Sequence, residues 1–358
     1  MFMERPLLSF LVATYNQEEY IREAIHSALA QTYSPLEIII SDDCSRDRTF
    51  CIAGEIAAAY KGPHKIRLNR NPINLGIGAH VNRVMEMCRG KLLIAAAGDD
   101  ISLPERTEVI YQAWEASGRR ATSICSNYSM ISSRGADLGI GGFRGDVGNT
   151  SRFQELNVGL FEFLSTNLPV VNRCTHAWSP ELFNYFGPLR ADLEDSTLSF
   201  RTLAVGTMIY INEPLVKYRQ HEANASFGEG RDDSRSFEQR ENRLRWADEK
   251  TVTAYDNMLA DIETLFTKGR ISVSERDQLQ TEARRIRSVY AVERKMMDGN
   301  IFSRFLTLLH TARQGNVRCA LRSVPRALPR SVYRALYLMR DRWRANLARK
   351  RGPLLSAQ

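Results

Sequence analysis

Over its first 130 residues the chain alternates short apolar runs with stretches of helical spacing, and this alternation narrows the fold more than any other feature. Leu7–Ala13 reads as a buried strand. From Glu18 to Ala30, Tyr20, Ile21, Ala24, Ile25, Ala28 and Leu29 recur at helical intervals. Leu36–Ile40 reads as a second buried strand, introduced by Pro35. A helix from about Arg48 to Tyr60, a strand near Ile66–Leu68 and a helix over Ile77–Met87 follow. A strand over Lys91–Ala97, a helix from Pro104 to Ser117 and a strand over Ala121–Ser126 complete the series. Such βαβ order predicts an α/β protein with a Rossmann-like, mainly parallel sheet covered by helices on both faces. In open α/β sheets, ligands bind outside the carboxyl ends of the strands. The strand ends are therefore where chemistry is expected.

The composition agrees with a folded chain. With 358 residues, 43% hydrophobic and 25% charged, the sequence is neither disordered nor collagen-like, and its length fits roughly two domains. The longest clean apolar runs, such as Leu92–Ala97, fall far short of the ~20 residues that span a bilayer. One positive charge before Leu7, and Glu18 and Glu19 soon after, argue against a signal peptide. Cys44, Cys51, Cys88, Cys125, Cys174 and Cys319 form no C-x-x-C pair and read as free thiols of a cytoplasmic protein.

Three polar clusters close the predicted strands: Thr14-Tyr15-Asn16, Ser41-Asp42-Asp43 and Gly98-Asp99-Asp100. An Asp after a strand is often only a turn or cap residue. Two Asp pairs on one sheet edge repel each other, and a bound cation relieves that cost. Hard oxygen ligands suit Mg²⁺ or Mn²⁺, which are commonly held by one or two carboxylates plus substrate phosphates. The pattern points to a nucleoside diphosphate site bridged by a divalent metal.

At this point the sequence resembles the family-2 glycosyltransferases of the GT-A fold. The resembling segments are Phe10–Asn16, Ala28–Tyr33, Glu37–Asp47, Asn71-Pro72-Ile73-Asn74-Leu75-Gly76, Ala97–Asp100 and Leu103–Arg106, with further matches to about residue 227. The resemblance implies that Ala13, Thr14 and Tyr15 line a nucleotide, that Asp43 recognises the base with Asp42 in support, and that Asn74 and Gly76 border the nucleotide-sugar. Asp99 and Asp100 match the DXD-type pair that contacts ribose and metal, although Ala97 stands where the commoner D-x-D-D run has its first Asp. Gly76-Ile77-Gly78 is no dinucleotide fingerprint, because position 81 is Val.

In the second half, Asp192-Leu193-Glu194-Asp195 matches the family's E-D motif. The resemblance makes Asp195 the general base for an acceptor hydroxyl, with Glu194 orienting the acceptor or Asp195. The same acids also suit the start of a helix from Ser196, through the helix dipole. Tyr218-Arg219-Gln220-His221 resembles the family's Y-R-x-H segment, which implies metal or diphosphate contact by His221 and phosphate contact by Arg219. His26, His64, His80, His176 and His310 have no comparable context.

The expected organisation is a catalytic domain over 1–230, a helical extension over 231–300 and a basic amphipathic tail over 301–358. Residues 134–150 read as a flexible loop. The tail carries thirteen Lys or Arg and one acid, Asp341, a net +12; the remaining 300 residues carry −4. Val332, Leu336, Met339, Trp343 and Leu347 form one helical stripe beside Arg330, Arg334, Arg342, Arg344 and Arg349, which suits an anionic membrane surface. Docking on the catalytic domain is the alternative, and nucleic acid is the weakest candidate.

The resulting expectation is an inverting glycosyltransferase. It would move a sugar from a nucleotide-diphosphate donor to a saccharide or lipid-linked acceptor, in surface polysaccharide or glycolipid synthesis. Its metal would be Mg²⁺ or Mn²⁺ near Asp99, Asp100 and His221. Its place would be the cytoplasm, or the periphery of the cell membrane's inner face. The alternatives are a catalytically silent nucleotide-binding module of the same fold and a nucleotidyltransferase. The second would carry a Gly-rich basic loop after the first strand, which Thr14–Glu19 lacks.

Overall fold

The computed structural model describes residues 4–141, 151–166, 173–190, 194–221, 224, 237–298 and 332. The tail stripe and Asp192 fall outside the described residues, apart from Val332. In chain order the first elements are β1 (Leu8–Thr14), α1 (Ile21–Leu29), β2 (Leu36–Asp42), α2 (Thr49–Ala59), β3 (Lys65–Arg70), α3 (Ile77–Met87) and β4 (Leu93–Ala97). Then come β5 (Ile101–Ser102), α4 (Arg106–Ala116), β6 (Ala121–Ser132), β7 (Asp137–Gly141), β8 (Phe153–Leu156) and α5 (Leu160–Thr166). A 3₁₀ turn at Arg173–Thr175 leads into β9 (His176–Trp178), α6 (Glu181–Phe186), α7 (Glu194–Val205), β10 (Thr207–Gln220), α8 (Phe237–Thr267) and α9 (Val273–Asp298).

The chain divides into two compact units, one of residues 1–232 and 253–284, the other of residues 233–252 and 285–358. The first unit is built on one sheet of ten strands, in the order β3-β2-β1-β4-β9-β6-β10-β5, with β7 on β6 and β8 on β10. β1, β2, β3 and β4 run parallel, as do β6 and β10. β9 enters antiparallel between β4 and β6.

Every residue of β1 and β2 is buried. Alternation sends Leu8, Phe10 and Val12 to one face and Leu11 and Ala13 to the other. The first face packs on Ile21 and Ile25 of α1, Ile52 of α2 and Val109 of α4. The second packs on Val81 and Val84 of α3, Leu182 of α6 and Leu198 of α7. This is the expected mainly parallel sheet with helices on both faces.

Two expectations needed correction. Residues 137–141, read as part of a flexible loop, form β7 against β6, with Gly139 at φ 97° accommodating the irregular pairing. The strand expected to end at Ser126 continues to Ser132. The helical extension expected after residue 230 is, over the described residues, the two helices α8 and α9. α8 ends in a Schellman turn, where Gly269 at φ 66° lets the Arg270 N–H reach Leu265 O (2.8 Å). α9 opens with a capping box, the Ser272 N–H donating to Glu275 Oε2 (2.8 Å) and the Glu275 N–H to Ser272 Oγ (3.2 Å). In the second unit, Arg294 Nη2 lies 3.8 Å from Glu249 Oε2. Among the described residues no helix is long and apolar enough to cross a membrane.

Candidate functional site

The strand order turns outward in both directions from β1, to β2 and β3 on one side and to β4 on the other. A switch of this kind opens a crevice at the carboxyl ends of the strands. Register places the polar clusters on that rim: Thr14 pairs with Asp42, and Ala13 pairs with both Ser41 and Ala97. Backbone bonds continue past the strand ends. The Asp43 N–H donates to Thr14 O (2.9 Å), the Gly98 N–H to Ala13 O (2.9 Å) and the Asn71 N–H to Asp42 O (2.8 Å).

The first acidic pair shapes loops. Asp42 is fully buried and accepts the Ser45 N–H at Oδ2 (2.9 Å), with the Ser45 hydroxyl on Oδ1 and Arg70 Nε 3.5 Å away. Asp43 Oδ1 accepts Asn71 Nδ2 (2.8 Å) and the Leu75 N–H (2.9 Å), and its Oδ2 accepts the Gly76 N–H (3.0 Å). A carboxylate is thus set at the N-terminus of α3, where the helix dipole favours it. Gly76 sits at φ 78°, which a side chain would oppose. Asn74 Nδ2 reaches Asp43 O (3.3 Å). Tyr15 is exposed beside this loop system, and Asn16, at φ 51°, ties it to the β2–α2 loop by accepting the Arg46 N–H (2.9 Å).

The second pair meets β10. Asp99 Oδ2 lies 2.9 Å from His221 Nε2. Asp100 Oδ1 accepts the Arg219 N–H (2.8 Å). The Arg219 guanidinium, expected to reach phosphate, is 2% exposed and bonded to protein groups. Nε donates to Asp99 O (2.9 Å), Nη1 to Ser133 O (3.1 Å) and Nη2 to Glu23 of α1. It straps β10 to the Asp99–Asp100 turn. Tyr20 lies under both residues, with its ring centroid 5.0 Å from Arg219 Cζ and 4.8 Å from the His221 ring.

Asp195 opens α7 beside buried Glu194, and the Ser199 hydroxyl donates to its carbonyl (2.8 Å). Cys174, just before β9, is a buried thiol. Cys174 is pushed well above its ordinary pKa by burial first and then by the Asp100 charge; Asp195 adds to the shift and Arg106 opposes it. Arg106 is fully buried, donating to Ser102 Oγ (2.9 Å) and Ala95 O (2.7 Å). Burial lowers its pKa to about 10 against the pull of Cys174 and Asp100. Thr14, Asp42, Asp43, Asp99, Asp100 and His221 therefore share one sheet edge.

Sequence reasoning missed Cys174, Arg106, Asn71 and Tyr20 as parts of this site. Arg106 and Asn71 lay inside the resembling segments, whereas nothing in the sequence marked Cys174 or Tyr20. Among the described residues no group of three or more His, Cys, Asp or Glu side chains could hold a metal ion by itself.

At Gly98 the backbone passes close to the end of β1. A Cβ there would lie 2.7 Å from Thr14 Oγ1, 2.8 Å from Thr14 Cβ and 2.5 Å from Gln17 Oε1. Gly98→Ala will destabilise the protein by about 1–3 kcal/mol, the usual cost of overpacking. Urea unfolding checks this as a lower midpoint at constant slope.

Residues 9–140 match the family model described as glycosyl transferase family 2. A protein of Rickettsia typhi described as an uncharacterized glycosyltransferase is 28% identical over 230 residues, covering 62% of this chain and 66% of its own length. A Rickettsia felis protein described in the same words is 28% identical over 227 residues, covering 62% of this chain and 35% of its own. This chain thus spans just under two thirds of the first relative and about a third of the second. Two solved structures share the fold. One is Staphylococcus aureus TarS 1–349 in complex with UDP-GlcNAc, at TM-score 0.50 and 17% identity, covering 88% of this chain and 91% of that one. The other is the mannosyltransferase PcManGT of Pyrobaculum calidifontis in complex with GDP-Man and Mn²⁺, at TM-score 0.51 and 16% identity, covering 97% and 87%. Over residues 9–140 the chain is thus similar to the glycosyl transferase family 2, and its α/β fold is the one that the two solved glycosyltransferase structures share.

Proposed function

We propose that this domain transfers a sugar from a nucleoside diphosphate sugar to an acceptor hydroxyl with inversion at the anomeric carbon. The observation that carries the reading is the convergence of Thr14, Asp43, Asp99 and His221 on one rim at the β1–β4 switch point. The similarity to family 2 supports the reaction class. The bound UDP-GlcNAc and GDP-Man of the two fold neighbours support the donor class.

The donor set fits a divalent cation as a half-site. Asp99 Oδ2 and His221 Nε2, 2.9 Å apart, are two ligands of the kind that Mg²⁺ or Mn²⁺ supplements with substrate phosphates. Asp100, whose Oδ1 accepts the Arg219 N–H, stands beside them as the second carboxylate of the pair. The metal, when bound, offsets the charge that develops on the leaving diphosphate. Ala13, Thr14 and Tyr15 line the nucleotide, and Asp42 and Asp43 hold the loops that enclose the base, with Asn74 and Gly76 along the sugar. Asp195 accepts the proton of the acceptor hydroxyl as that oxygen bonds to the anomeric carbon. The bond from that carbon to the diphosphate oxygen breaks, and its electron pair leaves with the nucleoside diphosphate. Glu194 orients the acceptor or Asp195. A surface polysaccharide or glycolipid acceptor at a membrane surface extends this reading, and rests on the basic composition of 301–358.

Thermal shift tests the donor site. With MnCl₂ present, a UDP- or GDP-sugar at about 100 times its Kd will stabilise the fold by about 2.7 kcal/mol. Asp99→Asn will remove the Mn²⁺ dependence of that shift. If no nucleoside diphosphate sugar in a panel raises Tm, the reading fails.

A further inference from the structure

The residues that fix α7 lie outside the family-2 segment. Arg201 and Asp261 form a buried bidentate pair, 1% and 3% exposed at their side chains. Arg201 Nε donates to Asp261 Oδ2 (2.8 Å) and Nη2 to Oδ1 (3.1 Å). Arg201 also holds the turn before α7, with Nη1 donating to Gly187 O (2.7 Å). One helical turn earlier on α8, Asn257 Nδ2 donates to Asp261 Oδ2 (3.1 Å) while its Oδ1 accepts the Arg190 N–H (2.8 Å). Asn82 of α3 grips Leu189 from the other side, through its N–H (2.7 Å) and its carbonyl (2.8 Å). The chain is thus clamped at 187–190 and again at Arg201, and Glu194 and Asp195 lie between the clamps.

A buried ion pair is weak evidence for stability, because desolvation offsets most of its attraction. Burial indeed raises the Asp261 carboxyl despite its Arg partner. What bidentate geometry supplies is orientation. A helix transmits it, since Asp195 lies six residues from Arg201 along the axis, about 9 Å at 1.5 Å per residue.

We propose that Asn257 and Asp261 are positioning residues, which hold the α7 N-terminus so that Asp195 meets the acceptor oxygen. This rests on the reading of Asp195 as the base. A misplacement of about 1 Å can cost on the order of 10²-fold in rate.

The test uses the full chain and three variants: Asn257→Leu, Asp261→Glu, and the double substitution Arg201→Met with Asp261→Leu, which leaves no unpaired charge. The probe is Mn²⁺ with whichever of UDP-GlcNAc or GDP-mannose shifts Tm, and water as acceptor, read as release of UDP or GDP. Asn257→Leu and the double variant will lose about 10- to 100-fold in kcat with donor KM unchanged. Asp261→Glu will recover part of that loss. In an Asp195→Asn background the double substitution will cost no more than about twofold, because the residue it positions is already gone. Hydrogen exchange over 187–201 will quicken at least tenfold in the double variant while β1 and β4 stay protected. Unchanged exchange over 187–201 overturns the proposal, as does a full additional loss in the Asp195→Asn background. Full turnover in Asp195→Asn alone would instead refute the base assignment, so the two failures are separable.

Discussion

Asp195→Asn will lower sugar transfer by about 10²- to 10⁴-fold, the range that a positioned general base contributes. The substitution keeps the size of the side chain and removes its ability to take a proton. Asp195 sits at the start of α7 while the groups proposed to face the nucleotide sit at the ends of β1, β2 and β4, so donor affinity will hold. The outcome is therefore a loss in kcat without a matching rise in donor KM. Steady-state transfer and donor titration, run on the same preparation, check it. A variant that retained even a tenth of the transfer rate would remove Asp195 from the chemistry.

The rim that frames this reaction was legible because its strands are buried on both faces. Leu8–Thr14 and Leu36–Asp42 expose almost nothing, so selection for burial leaves continuous apolar runs ending abruptly in polar residues. α3 was read at its observed bounds, since Val81 and Val84 recur at helical spacing between Gly76 and the extended Cys88. β9 was invisible. Three residues carry no periodicity, and His176–Trp178 is a strand only because β4 and β6 flank it. β7 was hidden by its glycines, and its Leu138 and Ile140 are exposed rather than alternating into a core.

The acidic pairs show a different limit. Asp42 and Asp43 were read with a turn role as the competing account, and the structure gives both of them loop-holding bonds. A carboxylate can hold a loop and border a ligand, so spacing alone did not separate the two roles. Arg219 shows a second group whose residue type admits two roles. A guanidinium beside a candidate diphosphate site suggests phosphate contact, yet its bonds to Asp99 O and Ser133 O depend on how β10 ends against β4 and β6. The Arg201–Asp261 pair was beyond sequence reading altogether, because a helical pattern does not say which helix supplies the partner.

Acid will expose His176 as the weak point of the sheet. Burial, with a smaller push from Arg106, lowers its pKa from 6.5 to about 3. The ring is fully buried between Ser123, whose Oγ shares Nε2, and Trp178, whose ring stands edge-on at 5.3 Å. Its Nδ1 has no hydrogen-bond partner, so a second ring proton would have no acceptor. The unfolded chain binds that proton below about pH 6.5 and the folded chain does not. Stability from this residue is thus complete above pH 6.5 and falls as pH drops toward 3. The slope is about 1.4 kcal/mol per pH unit and the total approaches 5 kcal/mol. Urea unfolding at pH 7.5, 6, 5 and 4 will show this slope in the natural protein, beyond that of His176→Gln, in which no imidazole titrates. The variant will start lower at pH 7.5, having lost the packing against Trp178, but its curve will be flatter. Parallel curves for the two proteins would mean that His176 is protonated in the folded sheet, and that the acid sensitivity of this fold lies elsewhere.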